Sequence, residues 1–219
     1  MTLAARPPTI DTLLARVYRH YPRGVDNDDS RYQQSEESRR LICVKEAAAR
    51  RCGWNFYEIP AADRVAIDAE VEPVLEALGN WQRFAERWQK DAPDVVLWDE
   101  SNPWLDACYR YSALKPGPSR EAPRDLDEVV LAVSMLAPVY VVYTYIPIPG
   151  QRAEKRFSEF PSRSRARVGR LSALSEELFG FHRLDENTVG TLVPDVIPHS
   201  SNRCMSETTL MDCLFLTFP

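Results

Sequence analysis

The chain has 219 residues, of which 44% are apolar and 27% charged, so it is long enough to bury a core of its own without help from metals or disulfides. Its formal charge of −5 excludes a surface built throughout to grip phosphates. The spread is uneven: Arg152, Lys155, Arg156, Arg163, Arg165, Arg167 and Arg170 face only Glu154 and Glu159 between residues 150 and 170, which leaves the remainder more acidic and suited to a basic partner.

Taken from the N-terminus, MTLAARPPTIDTLLARV has no apolar stretch long enough for a signal peptide before charge and proline interrupt it. Thr9 caps a predicted helix in which Ile10, Leu13, Leu14, Val17, Tyr18 and Tyr21 recur at helical spacing, ending near Pro22. His20 is expected at its partly exposed end. Arg23 to Ser30, with Gly24, Asp26, Asn27, Asp28 and Asp29, reads as an acidic loop. A second helix starts near Ser35, carries Glu36 and Glu37 in its first turn and Arg50 and Arg51 in its last, and stops at Gly53. Trp54 to Ile59 alternates like an edge strand. Pro73 opens a third helix through Val74, Leu75, Leu78, Trp81, Ala85 and Trp88, with Gly79-Asn80 as a point of kinking or splitting.

Strand signals dominate from there. Val95 to Trp98 is a short strand and Ala107 to Leu114 a longer one; Pro116, Gly117, Pro118 and Pro123 then mark a loop. Glu128 to Leu136 and Val139 to Ile146 form the strongest sheet signal, either a hairpin or one long strand bent at Pro138. Val129 to Ile148 is apolar but rich in β-branched residues and interrupted by prolines, so it reads as sheet and not as a membrane span. A helix from Arg165 to Phe179 closes at Gly180, and Thr208 to Phe215 is expected to be a last strand. Helices first, then strands joined by short links, predict a single α+β domain over residues 1–219. Its sheet is mainly antiparallel, of about four to six strands packed against about four helices.

Chemistry is hard to find. The histidines His20, His182 and His199 lack partners at metal-binding spacings. There is no GxSxG elbow, no P-loop and no GxGxxG, and Ser112 with Lys115 matches SxxK only on a strand, where the two would not face each other. The pairs Asp28-Asp29, Glu36-Glu37, Asp99-Glu100 and Glu176-Glu177 point apart on regular elements and read as solvated faces, although distant carboxylates can still meet in a fold. No catalytic residue, metal or cofactor is therefore assigned. Five cysteines, Cys43, Cys52, Cys108, Cys204 and Cys213, include no CxxC pair and read as reduced thiols packed as small hydrophobes, with Cys108 and Cys213 in strands; the expected location is the cytoplasm. Phe157 and Phe160 within the basic segment offer stacking rings for nucleic acid, but a charged connector and an exposed helix face suit the acidic total better.

Partner binding has better support. Trp98, Asp99, Glu100 and Trp104 combine large apolar rings with carboxylates that would steer a basic partner, unless both rings fold back into the core. Together with Asp26, Asp28 and Asp29 they are the candidate partner-binding residues.

The tail VPDVIPHSS followed by ETTLMDCLFLT resembles the ends of bacterial polymorphic-toxin immunity proteins, in which a VPD-type loop precedes a last strand of TLxDCLF character; LAVSMLAPVYVVYTY is similar to their central strands. The resemblance spans two short stretches of the second half. It implies a cytosolic protein without catalysis that binds and neutralises a cognate toxin domain by covering its active site or blocking its movement. An acidic balance would suit a basic nuclease toxin. An enzyme acting on nucleic acid or nucleotide through dispersed acidic and basic residues is the alternative.

Overall fold

The computed structural model describes residues 6–56, 58–114, 128–146, 154–198 and 204–215. The first half is helical: α1 (Ile10–His20), α2 (Ser30–Gln34), α3 (Glu36–Arg51), α4 (Glu72–Leu78) and α5 (Trp81–Asp91), with a 3-10 turn at Ala61–Asp63. Strands β1 (Val96–Asp99), β2 (Cys108–Leu114), β3 (Val129–Ser134), β4 (Val139–Ile146) and β5 (Glu154–Arg156) follow. Then come α6 (Ser162–Phe179), β6 (His182–Arg183), α7 (Glu186–Val189), a 3-10 turn at Met205–Glu207 and α8 (Leu210–Phe215).

The strands lie in the order β1-β2-β3-β4-β5 and all these neighbours are antiparallel. β6 alone runs parallel, pairing Val139 and Tyr140 at the start of β4, while β5 pairs the far end of the same strand. The architecture is α+β, as the element order predicts. Residues 129–146 form a hairpin and not one bent strand: Val133 opposes Tyr140 and Val129 opposes Thr144 across the turn that contains Pro138. Proline sits in the turn, where it removes no ladder hydrogen bond.

Side chains alternate across β2. Tyr109 and Tyr111 turn toward α5, where Tyr111 stacks on Trp81 at 4.0 Å and Tyr109 meets Trp81 at 5.1 Å. On the same face the Tyr140 hydroxyl donates to Glu176 of α6 at 2.8 Å, and the buried Arg167 donates to the Ala113 carbonyl. Cys108 turns the other way, near Tyr21 and Asp106, where α8 packs against β2 and β3, and Tyr21 of the α1 C-cap donates to the Cys213 carbonyl at 2.8 Å. One continuous core runs through both faces.

Helix ends follow their caps. Thr9 and Ser35 accept from Thr12 and Ser38 N–H, and Gly180 closes α6 in the left-handed conformation at φ 69°, which only glycine adopts without strain. The expected third helix is split at Gly79-Asn80 into α4 and α5.

Four expectations are corrected. Thr208 to Phe215 is not a strand: Thr209 N–H and hydroxyl both donate to the Asp212 carboxylate at 2.8 Å at the start of α8, which puts Cys213 in a helix. Trp54 to Ile59 forms no strand among its described residues, and Ser30 to Gln34 is helical. His20 is buried, not half-exposed; its Nδ1 bonds the Arg16 carbonyl at 2.8 Å, and burial lowers its pKa. The loop prolines 116, 118 and 123, Lys115 and His199 lie outside the described residues. Among those residues no helix is long and apolar enough to cross a membrane.

Candidate partner-binding surface and adjoining cleft

The segment between β1 and β2 is held from behind by hydrogen bonds. Glu100 N–H donates to the Arg110 carbonyl at 3.0 Å, and the Ser101 hydroxyl accepts from Arg110 N–H at 2.9 Å. Leu105 and Asp106 N–H groups both donate to the Asn102 carbonyl, which rolls residues 102–106 into a turn. Asp99 accepts the indole N–H of the buried Trp81 at 2.9 Å and Ser101 N–H at 3.0 Å, so its carboxylate supports the fold.

On this support the two tryptophans face outward. Trp98 is 59% exposed and Trp104 46%, and Val96, two residues from Trp98 on the same strand face, is exposed as well. The core-plug alternative is thus resolved: neither ring belongs to the core. β1 forms one end of the strand order, and Leu97 is its inward residue, packed against the core.

The acidic loop has mixed roles. Asp29 caps α2 through Arg31 N–H and pairs with the Arg31 side chain, which lowers its pKa through those hydrogen bonds. Asp26 and Asp28 are exposed and make no ion pair among the described residues. The loop is tied to the tail: Asp195 pairs with Arg23 and its carbonyl accepts Gly24 N–H at 2.8 Å, while Asn27 donates to the Pro198 carbonyl. In the VPD stretch, aspartate is therefore a brace for the 21–30 turn.

From the acidic loop the chain enters α2, and α2 with α3 forms one side of a cleft of about 570 Å³. The other side carries Phe56, Ile59, Pro60 and Trp104, with Phe56 and Trp104 stacked at 4.2 Å and 5° between planes. Arg64 fixes the 3-10 turn of this wall to α3 through a two-pronged pair with the buried Glu46 at 2.9 and 3.0 Å. Lys45 lines the cleft although it is only 6% exposed; its ammonium donates to the Leu105 carbonyl at 2.9 Å. Burial lowers its pKa to about 8 against the opposing pull of Asp106. Asp106 is itself buried and pushed up to about 6 by that burial, opposed first by Arg110, which it meets at 2.8 Å, and then by Lys45.

Trp104 thus borders the cleft, whereas Asp26, Asp28 and Asp29 of the acidic loop and Trp98 on β1 do not line it. Lys45 and Phe56 escape a reading of the sequence by charge and composition. The available signal is helical spacing, which puts Lys45 on the buried stripe of Leu41, Ala48 and Ala49.

The basic segment is dispersed. Phe157 packs on Tyr143 at 5.5 Å, Phe160 lies beneath Arg183 at 5.3 Å, Arg167 is buried, and Arg170 donates to the Asp91 carbonyl. Rings and guanidinium groups used in this way do not form a stacking platform. Four of the five cysteines pack inside as expected: Cys43, Cys52, Cys108 and Cys213 are buried, and burial pushes the Cys52 thiol up to about 11 and those of Cys108 and Cys213 upward, whereas Cys204 is exposed and not packed as a small hydrophobe. No group of three or more His, Cys, Asp or Glu suited to a metal occurs among the described residues. No protein family, curated protein or solved structure matches the chain.

Proposed function

We propose that this chain is a stoichiometric binding protein of the immunity type, acting in the cytoplasm without catalysis and neutralising a cognate toxin domain. The observation that carries the reading is the outward display of Trp98 and Trp104 on a segment pinned by Arg110 and Asp99. Exposed tryptophan on an ordered support supplies the large apolar area of a binding anchor while little side-chain and loop freedom is left to lose on association. Asp26, Asp28 and Glu100 are exposed carboxylates that would speed encounter with a basic partner such as a nuclease domain.

The test is co-expression with the polypeptide encoded by the adjacent gene. Protection of growth together with a 1:1 complex on size exclusion is the expected result. Absence of a complex, or turnover of nucleic acid by the purified chain that disappears on replacing its acidic residues, would overturn the reading.

A further inference from the structure

The partner reading leaves the floor of the α2–α3 cleft unused. Lys45 is an ammonium with three donors, and its one hydrogen bond among the described residues goes to the Leu105 carbonyl. No carboxylate of those residues lies within 4.0 Å of it; Asp106, the acid nearest in electrostatic effect, is paired to Arg110. A buried cation that makes one hydrogen bond at the base of an open cleft favours a further acceptor, and an anion there adds to the countercharge that Asp106 supplies from a distance.

The rest of the cleft defines that anion. Arg39 is the second lining cation, held by the Gln34 carbonyl at 3.0 Å, and Asp63, the one lining acid, is exposed at the rim. The walls are mixed: Tyr32, Gln33, Gln34 and Ser38 line the α2–α3 side with Leu41 and Ile42. The facing side is apolar, with Phe56, Ile59 and Trp104. The volume of about 570 Å³ is that of a small-molecule site. Lys45 and Arg39 against Asp63 leave the lining one net positive charge, which balances one negative charge, and Glu36 and Glu37 occupy the first turn of α3, which disfavours a multiply charged phosphate at that helix end.

We propose that this cleft binds a small organic monocarboxylate, its carboxylate on the Lys45 ammonium and its apolar body along the Phe56–Trp104 wall. The site shares Trp104 with the proposed partner surface but does not depend on that reading, and it is tested without any partner.

The full-length protein is titrated by calorimetry with phenylacetate and octanoate, and in parallel with the neutral phenylacetamide and octanamide. At least one acid is expected to bind about tenfold or more tighter than its amide, the size of one charge-assisted hydrogen bond. Lys45→Met is expected to erase that preference, and Trp104→Ala to weaken acid and amide together. Equal binding of each acid and its amide, or no saturable binding of either acid, overturns the proposal, as does a folded Lys45→Met protein that keeps the preference. Should Lys45→Met not fold, the acid-to-amide ratio of the unmodified protein decides.

Discussion

Trp81 and Trp88 on α5 and Trp98 and Trp104 beyond it are one residue type put to opposite uses. The first two are about 1% exposed or less, with every polar atom engaged: Trp81 donates to Asp99 at 2.9 Å and Trp88 to the Val95 carbonyl at 3.2 Å. The second two are about half exposed, on a segment whose hydrogen bonds are made by its backbone and by Ser101 and Asp99. The first pair holds the helical layer on the sheet. The second lies outside the core, Trp98 on the outer face of β1 and Trp104 stacked on Phe56 at the cleft, which is why we read it as a surface kept for a partner.

That contrast sets a scale of effects. Trp81→Ala removes a ring stacked on Tyr111 and is expected to lower stability by about 3–5 kcal/mol in urea unfolding, because the surrounding rings cannot collapse into the space. A loss below about 1 kcal/mol would place Trp81 with the outer pair and break the comparison.

Two buried charges of opposite sign, Lys45 and Asp106, give opposite pH dependences. Lys45 titrates near 8 in the fold against an ordinary 10.5, so the unfolded chain holds more protons between these values. Stability therefore rises with pH across this window relative to Lys45→Met, by up to about tenfold in the folding constant per pH unit. Asp106 has the opposite sign: its folded value near 6 exceeds the ordinary 3.8, so its contribution is largest in acid and is lost as pH climbs from about 4 through 6. Comparing unfolding curves of Lys45→Met, Asp106→Asn and the parent from pH 4 to 10 checks both slopes; flat differences would mean that both groups are solvated.

Asp99→Ala is expected to cost about 1–3 kcal/mol by leaving the Trp81 indole N–H without its acceptor. That outcome, read from denaturation midpoints, would confirm that this carboxylate of the tryptophan segment serves the inner pair. Trp98→Ala should change stability by no more than about 0.5 kcal/mol, since it removes a mostly exposed ring.

The elements legible in the sequence are those in which local and tertiary demands agree. The β3–β4 hairpin has β-branched residues throughout both strands, α1 and α3 carry their own N-caps, and α6 carries its Gly180 stop although it starts at Ser162, ahead of the expected Arg165. TLMDCLF misleads because its apolar run reads as strand, while the Thr209–Asp212 spacing that caps a helix is the stronger physical signal. His20 and Lys45 look like surface residues by type; only the packing of distant segments, residues 68–71 near α1 and Leu105 above α3, decides that they are inside. Of the candidate site, Trp98, Trp104, Asp26 and Asp28 are exposed as a binding role requires, whereas Asp29 and Asp99 are occupied within the fold. The cleft is invisible in the sequence because its two sides are brought together by the Glu46–Arg64 pair, 18 residues apart.

The most direct measurement of the central claim is a calorimetric titration of the adjacent gene's polypeptide into this protein and into its Trp98→Ala and Trp104→Ala variants. The account predicts 1:1 binding by the parent and an affinity lower by about thirtyfold or more in at least one folded variant, as expected of an anchor residue. Unchanged affinity in both variants, with their folds intact, would contradict it.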